Sequence, residues 1–300
     1  MTRDNQVKTW GILLPRLERL IDRVEELLAN AMNGRIHQEN GLFEQAIAFR
    51  WVGAHLDPIR HPEHIDLDDL IGLDRQIAFL VQNTQQFLAG LPANNVLLWG
   101  ERGTGKSSTV KGLLTRFAKD GLRVVEMRRD GLLNLPRVVD LLWDRPERFI
   151  LFCDDLSFEE NDHSYKELKA MLEGGLTARP ENVLIYATSN RRHLIPERFS
   201  DQTPRIDESG EIRPEETVEE KTSLSDRFGI RLGFYRIDQE TYLSIVRHLV
   251  IQRGLSISPD DLRRKALEWA AASSGRSGRV ARQFVDDLTG KLGLQNGYDH

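Results

Sequence analysis

Apolar residues recur at helical spacing from about position 10 to 32: Ile12, Leu13, Leu17, Leu20, Ile21, Val24, Leu27 and Leu28. Asn33-Gly34 then stops the pattern. The spacing predicts a second helix over Leu42 to Val52, and Asp57-Pro58 and His61-Pro62 break the chain after it. Residues 1–65 therefore read as an N-terminal helical region. Its amphipathic face is better explained by packing on the main domain than by docking a partner.

The pattern changes from Asp66 onward. A helix is predicted over 74–89. Short apolar runs then alternate with helical stretches, at 96–99, 123–127, 149–153, 183–188 and 230–237. This alternation implies an α/β fold, a parallel sheet with helices on both faces. Ligands of such sheets sit at the carboxyl ends of the strands. Residues 66–238 form this domain. It includes an acidic excursion at about 201–223, containing Asp207, Glu208, Glu211, Glu215, Glu216, Glu219 and Glu220, with a short hairpin around Ser209-Gly210. Helical periodicity returns at 239–252, 259–273 and 279–292, so residues 239–300 read as a small C-terminal helical domain.

Composition changes this picture little. In 300 residues, 40% are hydrophobic and 29% charged, as in an ordinary globular protein. The net charge of −5 argues against a strongly basic nucleic-acid binder. A single cysteine, Cys153, excludes an internal disulfide framework and a cysteine zinc cluster. The first residues lack the apolar core of a signal peptide, and no run is long enough to span a membrane. A cytoplasmic location with no membrane partner is the expectation.

Candidate chemistry is concentrated at the ends of the predicted strands. The run Val96–Trp99 enters Gly100-Glu101-Arg102-Gly103-Thr104-Gly105-Lys106-Ser107-Ser108, which contains the G-x-x-x-x-G-K-S phosphate-loop pattern. Its glycines permit close backbone approach, its N–H groups can form an anion nest, and the following helix adds its positive end. Lys106 can reach the β- and γ-phosphates of ATP, and Ser107 can supply a hydroxyl to Mg²⁺. Phe149–Cys153 ends in Asp154-Asp155. Asp154 is the second candidate Mg²⁺ ligand, and Asp155 is a candidate base for the attacking water. Asp155 is shorter than the more usual Glu, with Glu159 as a weaker substitute. The run 182–190 ends in Asn190, which can hydrogen-bond the γ-phosphate or the water. His61 and His64 are poorly spaced for a metal because Pro62 interrupts them, and Cys153 reads as a core thiol. Arg128-Arg129 and Arg191-Arg192-His193 follow strands on the same edge, where they could meet a polyanion or a neighbouring subunit.

Together these motifs resemble the AAA+ class of P-loop ATPases over roughly residues 66–290, with Walker A at 100–107, Walker B at 154–155 and Asn190 as sensor 1. Asp68-Asp69-Leu70-Ile71-Gly72 is similar to the segment whose backbone and Ile71 line the adenine pocket, and Ile71 and Gly72 are carried over as nucleotide contacts. Leu224-Ser225-Asp226-Arg227-Phe228-Gly229 resembles the arginine-finger segment, with Arg227 the finger. The C-terminal helices resemble the AAA+ lid, and Arg279 matches sensor 2 better than its competitors Arg276 and Arg282. The Asp-Asp pair and the Arg-Phe-Gly segment lean towards the initiator and helicase-loader branch. The strings FCDDLSFE, YKELKAMLEGGL, YATSNRRHLIPERF, SLSDRFG and GRSGRVARQF resemble an uncharacterised bacterial AAA+ ATPase family.

The resemblance implies a Mg²⁺-dependent ATPase that remodels an unknown macromolecular partner and forms a homo-oligomer when ATP is bound. The alternatives are a nucleic-acid-binding loader or initiator-like factor, a nucleotide-gated adaptor with slow turnover, and, less well supported, a small-molecule kinase. A guanidinium has a physical role here, because it can neutralise charge on the γ-phosphate that Lys106 and Mg²⁺ leave uncovered.

Overall fold

The computed structural model describes residues 41–158, 163–173, 180–191, 194, 205–206, 212–213, 224–273 and 275–297. Ile47–His300 form one compact unit. The helix expected over 10–32 lies outside the described residues.

The helix expected over 42–52 is not formed as such. Only residues 41–45 are helical, and β1 (Ala48–Val52) follows, paired antiparallel with β2 (His55–Pro58) and parallel with β4 (Leu122–Met127). Alternating aromatics decide the outcome. Phe49 and Trp51 are buried while Val52 is exposed, and a ladder partner more than seventy residues away satisfies the backbone. Residues 48–58 are thus part of the main sheet rather than of a helical region.

The remaining strands fall close to the expected runs: β3 (Val96–Gly100), β4, β5 (Arg148–Cys153), β6 (Val183–Ser189) and β9 (Ile230–Phe234). They form a seven-stranded sheet in the order β2-β1-β4-β5-β6-β3-β9, parallel throughout except for β2. A short antiparallel pair, β7 (Arg205–Ile206) and β8 (Ile212–Arg213), supplies the hairpin expected in the acidic excursion.

Every residue of β6 and five of the six in β5 are buried, so both faces of the sheet are covered. On one face Leu98, Val124, Ile150 and Tyr186 pack with Leu80 and Phe87 of α1 (Asp74–Leu88) and Val110 and Leu113 of α2 (Lys106–Phe117). Residues of opposite parity, such as Leu97, Val125, Leu151 and Ile185, are equally buried. Val138 and Leu142 of α3 (Leu135–Leu142) and Leu168 and Leu172 of α4 (His163–Glu173) are buried as well. The C-terminal helices α5 (Gln239–Gln252), α6 (Pro259–Ala272) and α7 (Gly278–Gly297) share a separate core around Tyr242, Val246, Ala266 and Phe284. Their starts are written in the sequence. Asp238 accepts from the Thr241 N–H at 2.7 Å, and Ser258 caps α6 with Pro259 in its first turn. Among the described residues, no helix is long and apolar enough to cross a membrane.

Candidate nucleotide site

The loop between β3 and α2 is shaped by its glycines. Gly100 has φ 140°, and a Cβ there would lie 1.9 Å from the Phe234 carbonyl oxygen of neighbouring β9. Gly105, at φ 99°, turns the chain into α2 in the left-handed region, where a Cβ would meet Leu73. No side chain caps α2, so its first N–H groups and its positive end are presented to the loop cavity.

Strand order then determines which side chains meet. β6 lies between β3 and β5, which brings its polar end between the loop and the acid pair. Ser107 Oγ donates to Asp154 Oδ1 at 2.6 Å, and Thr188 Oγ1 donates to the same oxygen at 2.6 Å. The Lys106 ammonium donates to the carbonyls of Gly100 and Glu101, both at 2.7 Å, and to Asn190 Oδ1 at 3.2 Å. The other end of the Asn190 amide, Nδ2, donates to Asp155 Oδ1. Asp155 has φ 52°, unusual for a residue with a Cβ, and its N–H is held by Thr188 Oγ1 at 2.9 Å. Arg102 lies 3.8 Å from its Oδ2. Burial lowers the Lys106 pKa, against the pull of Asp155 and Asp154, which favours its charged form.

These groups share one cavity of about 920 Å³. Arg102 to Ser108, Asp154, Asp155, Thr188, Asn190 and Arg279 supply polar lining. Ile71, Leu73, Ile237, Ile245 and Leu249 supply apolar lining, the last two from α5. Gly103 packs against the start of α7, where a Cβ would come within 3.2 Å of Arg279 Cβ. Among the described residues no carboxylate pairs with Arg279, whereas Arg282 is held by Glu63 at 3.4 Å. Glu63 also accepts from Lys111 of α2 at 2.8 Å, and its carboxyl is held below the ordinary glutamate pKa, chiefly by that bond. The segment from Glu63 onward is laid along α2, with the Ile65 N–H on Thr115 Oγ1 at 3.2 Å and Leu67 against Gly112. Asp69 accepts from both His248 and Gln252 of α5, at 2.7 and 2.6 Å.

Not every candidate converges. Gly72 does not line the cavity; its φ of 82° instead places it against Thr241. Glu101 contributes its backbone, while its carboxylate pairs with Arg236. Arg227 is outside the cavity, ion-paired with Glu173 of its own chain. Arg276 is not among the lining residues. Glu159 lies outside the described residues. The His61/His64 pair gathers no set of three metal-binding side chains among the described residues. Sequence reasoning missed Thr188, Glu63, Asp69 and the apolar lining from α5. Thr188 was within reach, as a hydroxyl at the end of a buried run beside the acid pair.

A family model described as "Protein of unknown function (DUF815)" matches residues 44–292. The chain belongs to the DUF815 family. The DUF815 match takes in the whole sheet, the cavity and most of α7. A search of the curated proteins finds no match. Among solved structures, the chain is similar to the FIGL-1 AAA domain in complex with ADP, at 18% identity and a TM-score of 0.49. It is also similar to the Thermotoga maritima RuvB Holliday junction branch migration motor, at 13% identity and 0.43. Both alignments cover 74% of this chain and 72% of the other.

Proposed function

We propose that this DUF815 chain is a Mg²⁺-dependent AAA+ ATPase that couples ATP hydrolysis to movement of its C-terminal helices and to remodelling of a macromolecular partner. The observation that carries the reading is the meeting of Lys106, Ser107, Asp154, Asp155 and Asn190 around one glycine-rich loop at a helix N-terminus. Polyphosphate would suit the loop and the start of α2, and an adenine ring would suit the apolar lining residues.

The donor set suits Mg²⁺. Ser107 and Asp154 offer two hard oxygens in contact, and these would hold the ion. When bound, the ion would neutralise charge on the β- and γ-phosphates. Lys106 would exchange its two carbonyl partners for phosphate oxygens. Asp155 would orient and deprotonate the attacking water, and Asn190 would fix that carboxylate relative to Lys106. Arg279, at the start of α7, would reach the phosphates in cis and tie their presence to the position of the helical module. Arg227 would serve a neighbouring subunit, which makes assembly part of catalysis.

The test is ATP binding and turnover of the wild type beside Lys106→Ala and Asp155→Asn. Lys106→Ala should lose binding, and Asp155→Asn should bind but turn over slowly. Normal binding and hydrolysis by Lys106→Ala would end this assignment. The hold of Asn190 on the short Asp155 favours one second reading, a slow nucleotide-gated adaptor. That reading predicts partner capture that depends on ATP but not on its hydrolysis.

A further inference from the structure

The phosphate-loop pattern leaves the side chain at position 102 unspecified, yet this chain places a guanidinium there, lining the cavity and facing the acid pair. Asp155 has special demands. It carries one methylene fewer than a glutamate, so its carboxylate reaches less far and its direction matters more. Its backbone sits in the left-handed region at φ 52°, a conformation that persists where neighbours impose it. Thr188 fixes its N–H and Asn190 takes Oδ1. Oδ2 is left, and the cation it faces is Arg102, at 3.8 Å.

That distance is informative. It is too long for a direct hydrogen bond, so Oδ2 keeps its lone pairs for a water. It is short enough for a unit charge to bias which way the carboxylate turns. The contacts also form a closed circuit. Arg102 faces Asp155, Asp155 accepts from Asn190, Asn190 accepts from Lys106, and Lys106 returns to the loop at the carbonyls of Gly100 and Glu101. The loop that cradles the phosphates would therefore also aim the group that activates the water.

We propose that Arg102 is the positioning residue for Asp155, holding Oδ2 of this short carboxylate towards the attacking water by its charge. The inference rests on the ATPase reading above. It assigns Arg102 no contact with the reacting atoms. A charge effect at this distance does not need the guanidinium fork, so an ammonium should substitute for it while a neutral polar side chain should not.

The experiment compares Arg102→Gln and Arg102→Lys with the full-length wild type, measuring kcat and KM for ATP and, separately, the affinity for a fluorescent ATP analogue. Arg102→Gln should lower kcat about tenfold or more while KM and analogue affinity stay within about threefold, because misdirecting a catalytic group acts on the chemical step. Arg102→Lys should keep kcat within about threefold of wild type. An unchanged or raised kcat in Arg102→Gln overturns the proposal, as does an equal loss in both variants or a loss confined to affinity. Asp155→Asn is the separating control. If it turns over ATP normally, the assignment of Asp155 itself fails. If it is slow while Arg102→Gln is normal, only the role of Arg102 is lost.

Discussion

Gly100→Ala is expected to destabilise the protein by about 3 kcal/mol or more and to abolish nucleotide binding. The magnitude has two parts. The new Cβ would lie 1.9 Å from the Phe234 carbonyl oxygen, 2.8 Å from its carbonyl carbon and 3.0 Å from its nitrogen. All three are backbone atoms, so no rotamer change relieves the collision, and β9 must move away from β3 by about an ångström. That separation breaks or weakens one or two ladder hydrogen bonds, at about 1 kcal/mol each. Holding alanine at φ 140° adds about 1–3 kcal/mol. The site suffers for the same reason, since the Gly100 carbonyl is a partner of Lys106. Gly121→Ala isolates the second part, because Gly121 has φ 95° but nothing within 4 Å of its Cβ position. Urea denaturation of the two variants, with and without Mg·ATP, makes the comparison. Gly121→Ala should lose about 1–2 kcal/mol and keep its stabilisation by ATP. Gly100→Ala should lose clearly more and show no stabilisation by ATP. Equal midpoints for the two variants would refute the close approach of β3 and β9.

Arg227→Ala should bind ATP within about threefold of wild type and lose about a thousandfold in turnover. Mixing it with Lys106→Ala should restore activity if the arginine acts across a subunit boundary; no recovery on mixing would place its role within its own chain. Asp154→Asn should raise the Mg²⁺ concentration needed for half-maximal ATP binding at least tenfold, read by titrating Mg²⁺ against a fluorescent ATP analogue. Glu63 joins α2 to α7, and its carboxyl pKa is depressed. Its contribution is therefore complete above the ordinary glutamate pKa and is lost as pH falls through the depressed value. Glu63→Gln should remove that part of the acid dependence of thermal unfolding; an unchanged acid limb would show that the contact carries no weight.

The parts of the fold that could be read from the sequence were those set by local pattern. Val96–Gly100 is a short apolar run that ends in glycine, and α5 begins at an aspartate that caps it; neither needs a distant partner to be recognised. β1 departs from the expected helix because 42–52 carries apolar residues at both spacings, and pairing with Val124 and Val125 makes the choice. The loop, the acid pair and Asn190 were legible because each is a polar group at the end of an apolar run. Their mutual contacts were not, because they depend on β6 lying between β3 and β5, an order that no local signal encodes. Glu63 and Asp69 escaped for a related reason. Their partners, Arg282 and His248, are more than 170 positions away.

The Asn190 amide has two unlike ends, and its neighbours leave it no choice of orientation. Lysine can only donate and an ionised aspartate can only accept, so Oδ1 must face Lys106 and Nδ2 must face Asp155. An aspartate in its place would set two anions against each other, and a serine would be too short to touch both sides. The position therefore works as a one-way adaptor between a cation and an anion. One rigid amide thus spans the cation of the loop and the anion of the neighbouring strand, so the bearing of Asp155 is set from the loop and not from its own strand alone.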